Sequence, residues 1–342
     1  MRRVITLGLA ALVAVGCEDG RVRTPASTNP ELGLATAASG VAIVDLGTLG
    51  GPSSDAVSIN DRGQVVGSSF LRSGESHAFL WTEGGGMTDL GTLGGLHSYA
   101  TGINSGGEVV GTSGTASGVG HAFVWTEHEG MIDLTPGQRS QGLGVNDRRQ
   151  VVGVRFTGSG LRAFRWTRQD GMKDLGTLGG NSSVAQAVND VGEVVGYSAT
   201  PPSGEEHAFL WTPQNGMMDL GTLGGPTSFA FAISNDGMVV GASVVASGAL
   251  HAFRWRLGRG MTDLGTLSAG FSTAFGVNEL GEVVGESGLR AFRWTERDGM
   301  VDLGVLPSGR ARDISNPGTI VGSITTTSGN NRAVLLTSGP PR

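Results

Sequence analysis

Four histidines at regular spacing are the first residues that could do chemistry. They begin four copies of one short run, His-Ala-Phe-x-Trp-Thr, and are His77, His121, His207 and His251. Zinc needs its ligands at about 2 Å from one point, whereas equivalent side chains of separate repeats are spread apart. In the remaining copies the position is arginine, which does not bind metals: Arg162, Arg290 and Arg332. We therefore expect no metal site, and the shared N–H donor predicts a structural hydrogen bond or stacking role.

A second recurrent group is the aspartate of an Asp-Leu pair in each copy. Its seven members are Asp45, Asp89, Asp133, Asp174, Asp219, Asp263 and Asp302. Repeated carboxylates invite calcium binding or acid-base chemistry. We favour a simpler role, in which each carboxylate accepts backbone N–H groups in the turn that follows.

Residues that depart from the repeat are better candidates for a specific function. Most links between copies read Gly-Thr-Leu-Gly-Gly, and the exceptions introduce aromatic rings and guanidinium groups. Such groups suit a glycan, a peptide or another anionic ligand. The predicted ligand-binding residues are His97, Tyr99, Arg139, Phe229, Phe271, Arg310 and Arg312. The alternative is neutral drift in exposed loops.

Catalysis would require titratable groups outside the repeat to converge in one pocket. The groups that could serve are Asp55, His97, Tyr99, Asp313 and the pair Glu205 and Glu206. They form no known local motif, and the sequence has no nucleophile elbow, phosphate loop or dinucleotide fingerprint. We therefore predict a non-catalytic binding or scaffold domain, without a cofactor, that recognises a glycan, peptide or protein. The alternative is an extracytoplasmic hydrolase or lyase.

These residues are positioned by a repeat that fills most of the chain. All six tryptophans mark it, at spacings of 44, 41, 45, 44 and 39 residues, and Leu336 takes the place in a seventh copy 42 residues later. A Val-Val-Gly element, Ile-Val-Gly in the last copy, also occurs seven times. A period of this size is typical of a propeller or a solenoid.

Each copy contains four short apolar segments separated by turn residues, which is the pattern of strands. In the first copy we predict strands at 56–60, 64–69, 77–82 and 87–91. The seventh copy lacks a fourth strand, and an unmatched one stands before the first copy at 41–47. The sequence therefore predicts an all-β, seven-bladed β-propeller with four-stranded antiparallel blades, whose ring is closed by strand 41–47 in the last blade. The Trp and Phe of the third strand should pack between blades.

This topology places the loops between second and third strands on the same face as the links between blades. The loops vary in length, with nine residues between Gly67 and His77 but four between Gly285 and Arg290. Variation from copy to copy marks binding loops in repeat proteins. We call this face the rim face and expect recognition there.

The N-terminus has the pattern of an export signal. Arg2 and Arg3 precede an apolar run that leads to Cys17, the sole cysteine, and residues 18–40 are rich in Ala, Thr, Pro, Gly and Ser. We predict a signal peptide at 1–17, lipidation of Cys17, a flexible tether at 18–40 and the propeller at 41–342. The protein would then be exported and held on a membrane by its lipid.

The segment 1–17 resembles a bacterial lipoprotein signal, and the motifs His-Ala-Phe-x-Trp-Thr, Asp-Leu-Gly-Thr-Leu-Gly-Gly and Ile-Asn-x-x-Gly-x-Val-Val-Gly resemble the HAF-repeat family of extracellular bacterial proteins. The resemblance covers residues 41–342 and implies an exported repeat protein, without implying a reaction.

The net charge of −6 argues against nucleic acid as a partner. We expect the protein to be a monomer.

Overall fold

The computed structural model describes residues 23–24, 41–268, 270–304 and 309–338. These residues form 29 β-strands and contain no helix, so none of them forms a helix able to span a membrane. Seven antiparallel sheets are arranged as a seven-bladed β-propeller, which confirms the predicted fold class. The predicted signal peptide and Cys17 lie outside the described residues.

Every blade has an inner, a second, a third and an outer strand. The inner strands are β3 (Gly50–Ile59), β7 (Gly94–Ile103), β11 (Ser140–Val145), β15 (Ser183–Val188), β19 (Gly224–Ile233), β23 (Ser272–Val277) and β27 (Gly309–Ile314). The second strands are β4 (Val65–Leu71), β8 (Val109–Thr115), β12 (Val151–Thr157), β16 (Val194–Ala199), β20 (Val239–Val245), β24 (Val283–Ser287) and β28 (Ile320–Thr325).

The outer half of each blade completes the set. The third strands are β5 (Ser76–Thr82), β9 (Gly120–Thr126), β13 (Gly160–Thr167), β17 (Glu206–Thr212), β21 (Leu250–Arg256), β25 (Arg290–Thr295) and β29 (Asn331–Ser338). The outer strands are β6 (Gly86–Asp89), β10 (Gly130–Asp133), β14 (Gly171–Asp174), β18 (Gly216–Asp219), β22 (Gly260–Asp263), β26 (Gly299–Asp302) and, for blade 7, β2 (Val41–Asp45).

The ring closes through the first and last strands of the propeller. Strand β2 pairs antiparallel with β29, with Val41 opposite Ser338 and Asp45 opposite Val334. The strand ends at Asp45, two residues before the predicted end. Because β2 completes blade 7, the two ends of the propeller share one sheet, as predicted.

The inner strands of blades 1, 2 and 5 are longer than predicted. Strand β3 begins at Gly50, so the predicted loop before residue 56 is part of the strand. The Gly-Gly pair allows this, because a Cβ on Gly51 would lie 2.5 Å from the carbonyl oxygen of Phe70 in β4. The same extension places His97 and Tyr99 in β7 and Phe229 in β19, where the sequence predicts loops.

The hydrophobic core lies between neighbouring blades. Val66 and Ala78 of blade 1 pack with Val109, Phe123 and Trp125 of blade 2, and all five are buried. The other blade pairs repeat this cluster, and the third-strand Phe is fully buried in the first six blades. The predicted inter-blade packing of Phe and Trp is confirmed, and it explains why two adjacent valines recur: each faces a different neighbouring blade.

A β-bulge interrupts every inner strand at the same place. In β3 the pairing shifts between Ala56 and Ser58, so that Val57 is the extra residue. The glycine of Val-Val-Gly stands opposite this irregularity, and a Cβ on Gly67 would lie 1.9 Å from the carbonyl oxygen of Asp55. The close approach of two backbones therefore requires glycine at this point.

The turn between inner and second strands shows one departure from the repeat. Its third residue is glycine with positive φ in six blades: Gly63, Gly107, Gly192, Gly237, Gly281 and Gly318. In blade 3 the position is Arg149, whose φ is 61°. This left-handed conformation costs a residue with a side chain about 1 to 2 kcal/mol. The face that carries these turns is called the turn face below.

The predicted tether contributes one short element to the described structure. Arg23–Thr24 forms strand β1, which pairs antiparallel with β6 as a fifth strand on blade 1. The rest of the predicted tether lies outside the described residues.

Candidate functional site

The repeated histidines and aspartates form hydrogen bonds within each blade. Nδ1 of His77 lies 2.9 Å from a carboxylate oxygen of Asp89, and the other three His–Asp pairs have the same contact at 2.8 Å. Where arginine replaces histidine in blade 6, Arg290 donates to Asp302. All seven aspartates also accept the backbone N–H two residues further on, at 2.7–2.9 Å. Both structural roles that the sequence predicts are confirmed.

The seven bulges build the wall of the central channel. Each places one side chain in a cavity of about 410 Å³ on the ring axis. The seven bulge residues are Val57, Thr101, Leu143, Gln186, Phe231, Phe275 and Arg312. Phe231 and Phe275 are adjacent, with ring centroids 5.8 Å apart. The channel wall therefore carries four apolar bulge side chains beside Thr101, Gln186 and Arg312, with aromatic rings on the side of blades 5 and 6.

A smaller pocket of about 240 Å³ lies on the rim face where blades 6, 7 and 1 meet. We call it the rim pocket. Its polar lining includes Asp55 from β3, Glu286 from β24, Arg310 and Arg312 from β27, and Asn331 from β29. Arg312 lines both this pocket and the channel, so the two cavities meet at its side chain.

Charges in the rim pocket are balanced but not fully paired. Nε of Arg310 lies 2.9 Å from Glu286, and Nδ2 of Asn331 donates to Asp55 at 3.2 Å. The guanidinium carbon of Arg312 lies 4.8 Å from the ring centroid of Phe275. Burial and the charge of Arg310 lower the pKa of Arg312, while Glu286 and Asp55 act in the opposite direction. Arginine stays charged at neutral pH, so one half-buried cation faces the pocket.

Asp313, next to Arg312, joins the last blade to the first. Its Oδ2 accepts hydrogen bonds from the Ser58 hydroxyl at 2.8 Å and from the Ile59 N–H at 3.1 Å. Its Oδ1 accepts the Ile314 N–H at 2.9 Å. Burial raises the pKa of Asp313 to about 6 in spite of these donors. Asp313 therefore holds blade 7 to blade 1, and both of its carboxylate oxygens already accept hydrogen bonds.

The remaining predicted ligand residues lie around the rim face without converging. His97 and Tyr99 stack on blade 2 with centroids 6.4 Å apart, and Nδ1 of His97 accepts the Ser76 N–H at 3.1 Å. Arg139 stacks on Phe156 within blade 3 at 4.3 Å.

Blades 5 and 6 hold the other two. Phe229 contacts Tyr197 of blade 4 edge-on at 5.2 Å, and Phe271 is exposed at the start of blade 6. Of the seven predicted residues, Arg310 and Arg312 line the rim pocket together.

The groups considered for catalysis are also dispersed. Asp55 lines the rim pocket, whereas Glu206 lies on blade 4, on the other side of the ring. Burial raises the pKa of Glu206, and burial together with the charge of Glu206 raises the pKa of Tyr197. Among the described residues, no three His, Cys, Asp or Glu side chains are close enough together to hold a metal ion.

The turn face carries a larger cavity, of about 620 Å³, between blades 1 and 2. Arg62, Glu127 and Arg149 are among the residues that line it. Glu108 beside it accepts from Asn104 at 2.8 Å and pairs with Nε of Arg149 at 3.0 Å. The ion pair of Glu108 with Arg149 ties blade 2 to blade 3, and none of the predicted ligand residues lines this cavity.

Sequence reasoning missed Glu286 and Asn331 as pocket residues and did not recognise the bulge positions. Glu286 follows Val-Val-Gly, where other copies have small or neutral residues such as Ser68 and Ala242. The bulge position was also visible as a variable residue after a recurrent Ala or Gly in the inner strand. Variation inside a fixed motif was the signal for both.

Comparison with known proteins bears on the fold. The chain is similar to the crystal structure of TolB from Acinetobacter baumannii, with 11% identity and a TM-score of 0.50 over 81% of this chain. The chain has a β-propeller fold. It spans 64% of the length of that TolB chain.

Two further structures are less similar. BP39L lectin from Burkholderia pseudomallei gives 10% identity and a TM-score of 0.46, over 82% of this chain and 98% of that one. XC5397 from Xanthomonas campestris, a gluconolactonase, gives 12% identity and a TM-score of 0.44, over 70% and 86%. At these identities the likeness concerns architecture. No protein-family model and no curated protein matches the chain, so the resemblance to HAF repeats rests on the motifs quoted above.

Proposed function

We propose that this chain is an exported, lipid-anchored binding protein that takes a glycan, peptide or protein ligand in the rim pocket, without catalysis. The observation that carries the proposal is the convergence of Asp55, Glu286, Arg310, Arg312 and Asn331 on one cavity. Three different blades supply these groups, and the pocket lies on the face where loop lengths vary. Fixed donors and acceptors in a concave site are what specific recognition of a polar ligand requires.

The lining favours binding for an electrostatic reason. Two guanidinium groups and two carboxylates balance in charge, so the pocket offers directional hydrogen bonds without a strong net field. Glu286 is already paired with Arg310, and Asp55 accepts from Asn331. Carboxylates held in this way position a ligand, whereas a general acid must be protonated at the working pH.

Export and anchoring support this reading from the sequence. Lipidation of Cys17 would hold the protein on a membrane, and residues 18–40 would separate the propeller from it. The partners are then the membrane, through the lipid, and the rim ligand. The negative charge of the chain does not favour nucleic acid.

A glycan and peptide array tests the proposal. The purified protein should bind a defined class of ligands, and the double variant Arg310→Gln/Glu286→Gln should lose most of that signal while keeping its melting temperature. The double variant His97→Ala/Tyr99→Ala, which removes the aromatic pair on blade 2, is the control and should keep the binding signal. Loss of binding in this second variant alone would move the site to blade 2 and contradict the proposal.

A hydrolase or lyase is the second candidate, because Asp55 and Glu286 line the same pocket. Array ligands incubated with the protein and analysed by mass spectrometry distinguish the two functions. Intact ligand after long incubation supports binding. Cleavage that is lost in Glu286→Gln would establish the enzyme instead.

A further inference from the structure

The side chain of Arg312 is the feature that the proposed function leaves without a defined partner. It is half-buried at the junction of the rim pocket and the channel, and one face of its guanidinium stacks on Phe275 at 4.8 Å. Among the described residues it has no hydrogen bond and no ion pair, in contrast to Arg310, which is paired with Glu286. Polar groups in such positions normally have partners, so the edge of the guanidinium is open to a ligand. Its fork of N–H donors matches the two oxygens of a carboxylate.

Asp55 is the complementary feature of the same pocket. Its carboxylate receives a hydrogen bond from the neutral amide of Asn331, and in the described structure it makes no ion pair with Arg312, although both line the pocket. Asp55 and Arg312 therefore carry opposite charges in one pocket without a direct ion pair. A ligand that carries an acceptor and a neighbouring N–H donor bridges them.

The hydrogen-bonding groups of the pocket decide between two kinds of acid. A simple carboxylate would satisfy Arg312 but would offer no donor to Asp55, whose carboxylate receives only the neutral amide of Asn331. A carboxylate with an N–H group one carbon away also donates to Asp55. That arrangement is the main chain of an amino acid, either free or at the C-terminus of a peptide.

The channel supplies a place for the side chain of such a ligand. From Arg312 the cavity continues along the inner strands, where Val57, Leu143, Phe231 and Phe275 line it. Its volume of about 410 Å³ is in the range of small-molecule sites, about 300 to 1,000 Å³. The two phenylalanine rings give aromatic contact surface to an apolar or aromatic group.

We infer that the junction of rim pocket and channel binds an α-carboxylate residue with an apolar side chain. The carboxylate pairs with Arg312, the adjacent N–H donates to Asp55, and the side chain enters the channel. The inference rests on the proposed function, since it names the ligand class of that site. Free amino acid and peptide C-terminus share this chemistry, and the choice of probe separates them.

Isothermal titration calorimetry of the full chain with four probes tests the inference. N-acetyl-L-phenylalanine represents a peptide C-terminus, and L-phenylalanine represents the free amino acid. N-acetyl-L-phenylalanine amide lacks the negative charge, and 3-phenylpropionate lacks the N–H donor. One of the first two probes should bind at least about tenfold more tightly than the last two, because each of these loses one charge-assisted hydrogen bond.

Variants assign the contacts. Arg312→Gln should lower the affinity for the tighter-binding amino-acid probe at least about tenfold and leave the affinity for the amide probe unchanged. The affinity of Arg312→Lys should lie between those of wild type and Arg312→Gln, because lysine keeps the positive charge but lacks the two-pronged N–H donors of the guanidinium. Asp55→Asn should make the affinity for the tighter-binding amino-acid probe equal to the affinity for 3-phenylpropionate. Arg165→Gln is the matched control, since Arg165 also stacks on an aromatic ring, at 5.4 Å from Trp211, away from the channel.

Three results would overturn the inference: equal binding of acid and amide, an unchanged affinity in Arg312→Gln, or no binding of either amino-acid probe. Its failure is distinct from failure of the proposed function. Array ligands whose binding survives Arg312→Gln but not Arg310→Gln/Glu286→Gln would keep the rim pocket as a site and remove the carboxylate contact. Loss of folding in Arg312→Gln is checked by its melting curve, and Arg312→Lys then carries the comparison.

Discussion

Protonation of Asp313 should change how strongly the ring is closed. The side chain is an acid whose pKa is raised to about 6 in the folded protein by burial and by the charge of Asp61. The ordinary value in an unfolded chain is about 3.9. The folded state therefore holds a proton between about pH 4 and pH 6 that the unfolded state releases. This group contributes stability that is fully present below pH 4 and is lost as the pH rises through 6.

The magnitude follows from the shift. One pKa unit corresponds to about 1.4 kcal/mol, so a shift of roughly two units is worth at most about 3 kcal/mol. Other groups titrate in the same range, so the useful quantity is the difference between wild type and Asp313→Asn. From pH 7.5 to pH 4.5, wild type should gain about 2 kcal/mol relative to the variant, and the gain should begin as the pH falls through 6.

Urea unfolding at steps of half a pH unit measures this difference. The variant keeps an oxygen that can accept from Ser58 and Ile59, so its fold should persist across the range. Asp147→Asn, which changes an exposed carboxylate whose Oδ1 accepts the Ser105 N–H at 2.8 Å, is the control and should show a much flatter difference. A difference between wild type and Asp313→Asn that stays constant with pH, or that shifts in favour of wild type as the pH rises, would refute the reasoning.

Three further changes test other parts of the structure. Gly322→Ala would place a Cβ 1.7 Å from the carbonyl oxygen of Arg310 at the bulge of blade 7. It should lower the unfolding free energy by at least about 2 kcal/mol. Gly84→Ala is the control: its Cβ would lie in open space, and the unfolding free energy should change by less than about 0.5 kcal/mol. Arg149→Gly should raise the unfolding free energy by about 1 kcal/mol, because glycine adopts the φ of 61° without strain; a lower melting temperature would show that its side-chain contacts outweigh that strain. Cys17→Ala should move the protein from the membrane to the soluble fraction, and retention on membranes would contradict the lipoprotein prediction.

Blade number and ring closure were predictable because both are properties of the repeat. The spacing of the tryptophans sets the number of blades, and the unmatched strand before the first copy matches the one missing from the last. Pairing of β2 with β29 follows from those two facts. The aspartate and histidine roles were predictable for the same reason, since a group present in most copies must act within each copy.

The site was only partly predictable because it forms between copies. Arg310 and Arg312 stand out in their own repeat, but Glu286 and Asp55 come from the blades on either side, and the distances across the seam are set by the ring. His97 and Tyr99 depart from the repeat just as clearly, yet blade 2 places them outside the rim pocket. The bulges are not signalled by the period, because every copy has the same length there, and the variable residue after the recurrent Ala or Gly is their one mark in the sequence.

A crystal structure of the protein with the strongest ligand from the array tests the central claim most directly. The account predicts ligand density in the rim pocket, in contact with Arg310 or Glu286, and a carboxylate within hydrogen-bonding distance of Arg312. Ligand bound on the turn face, or on the rim of blades 2 to 5 with the rim pocket empty, would contradict it.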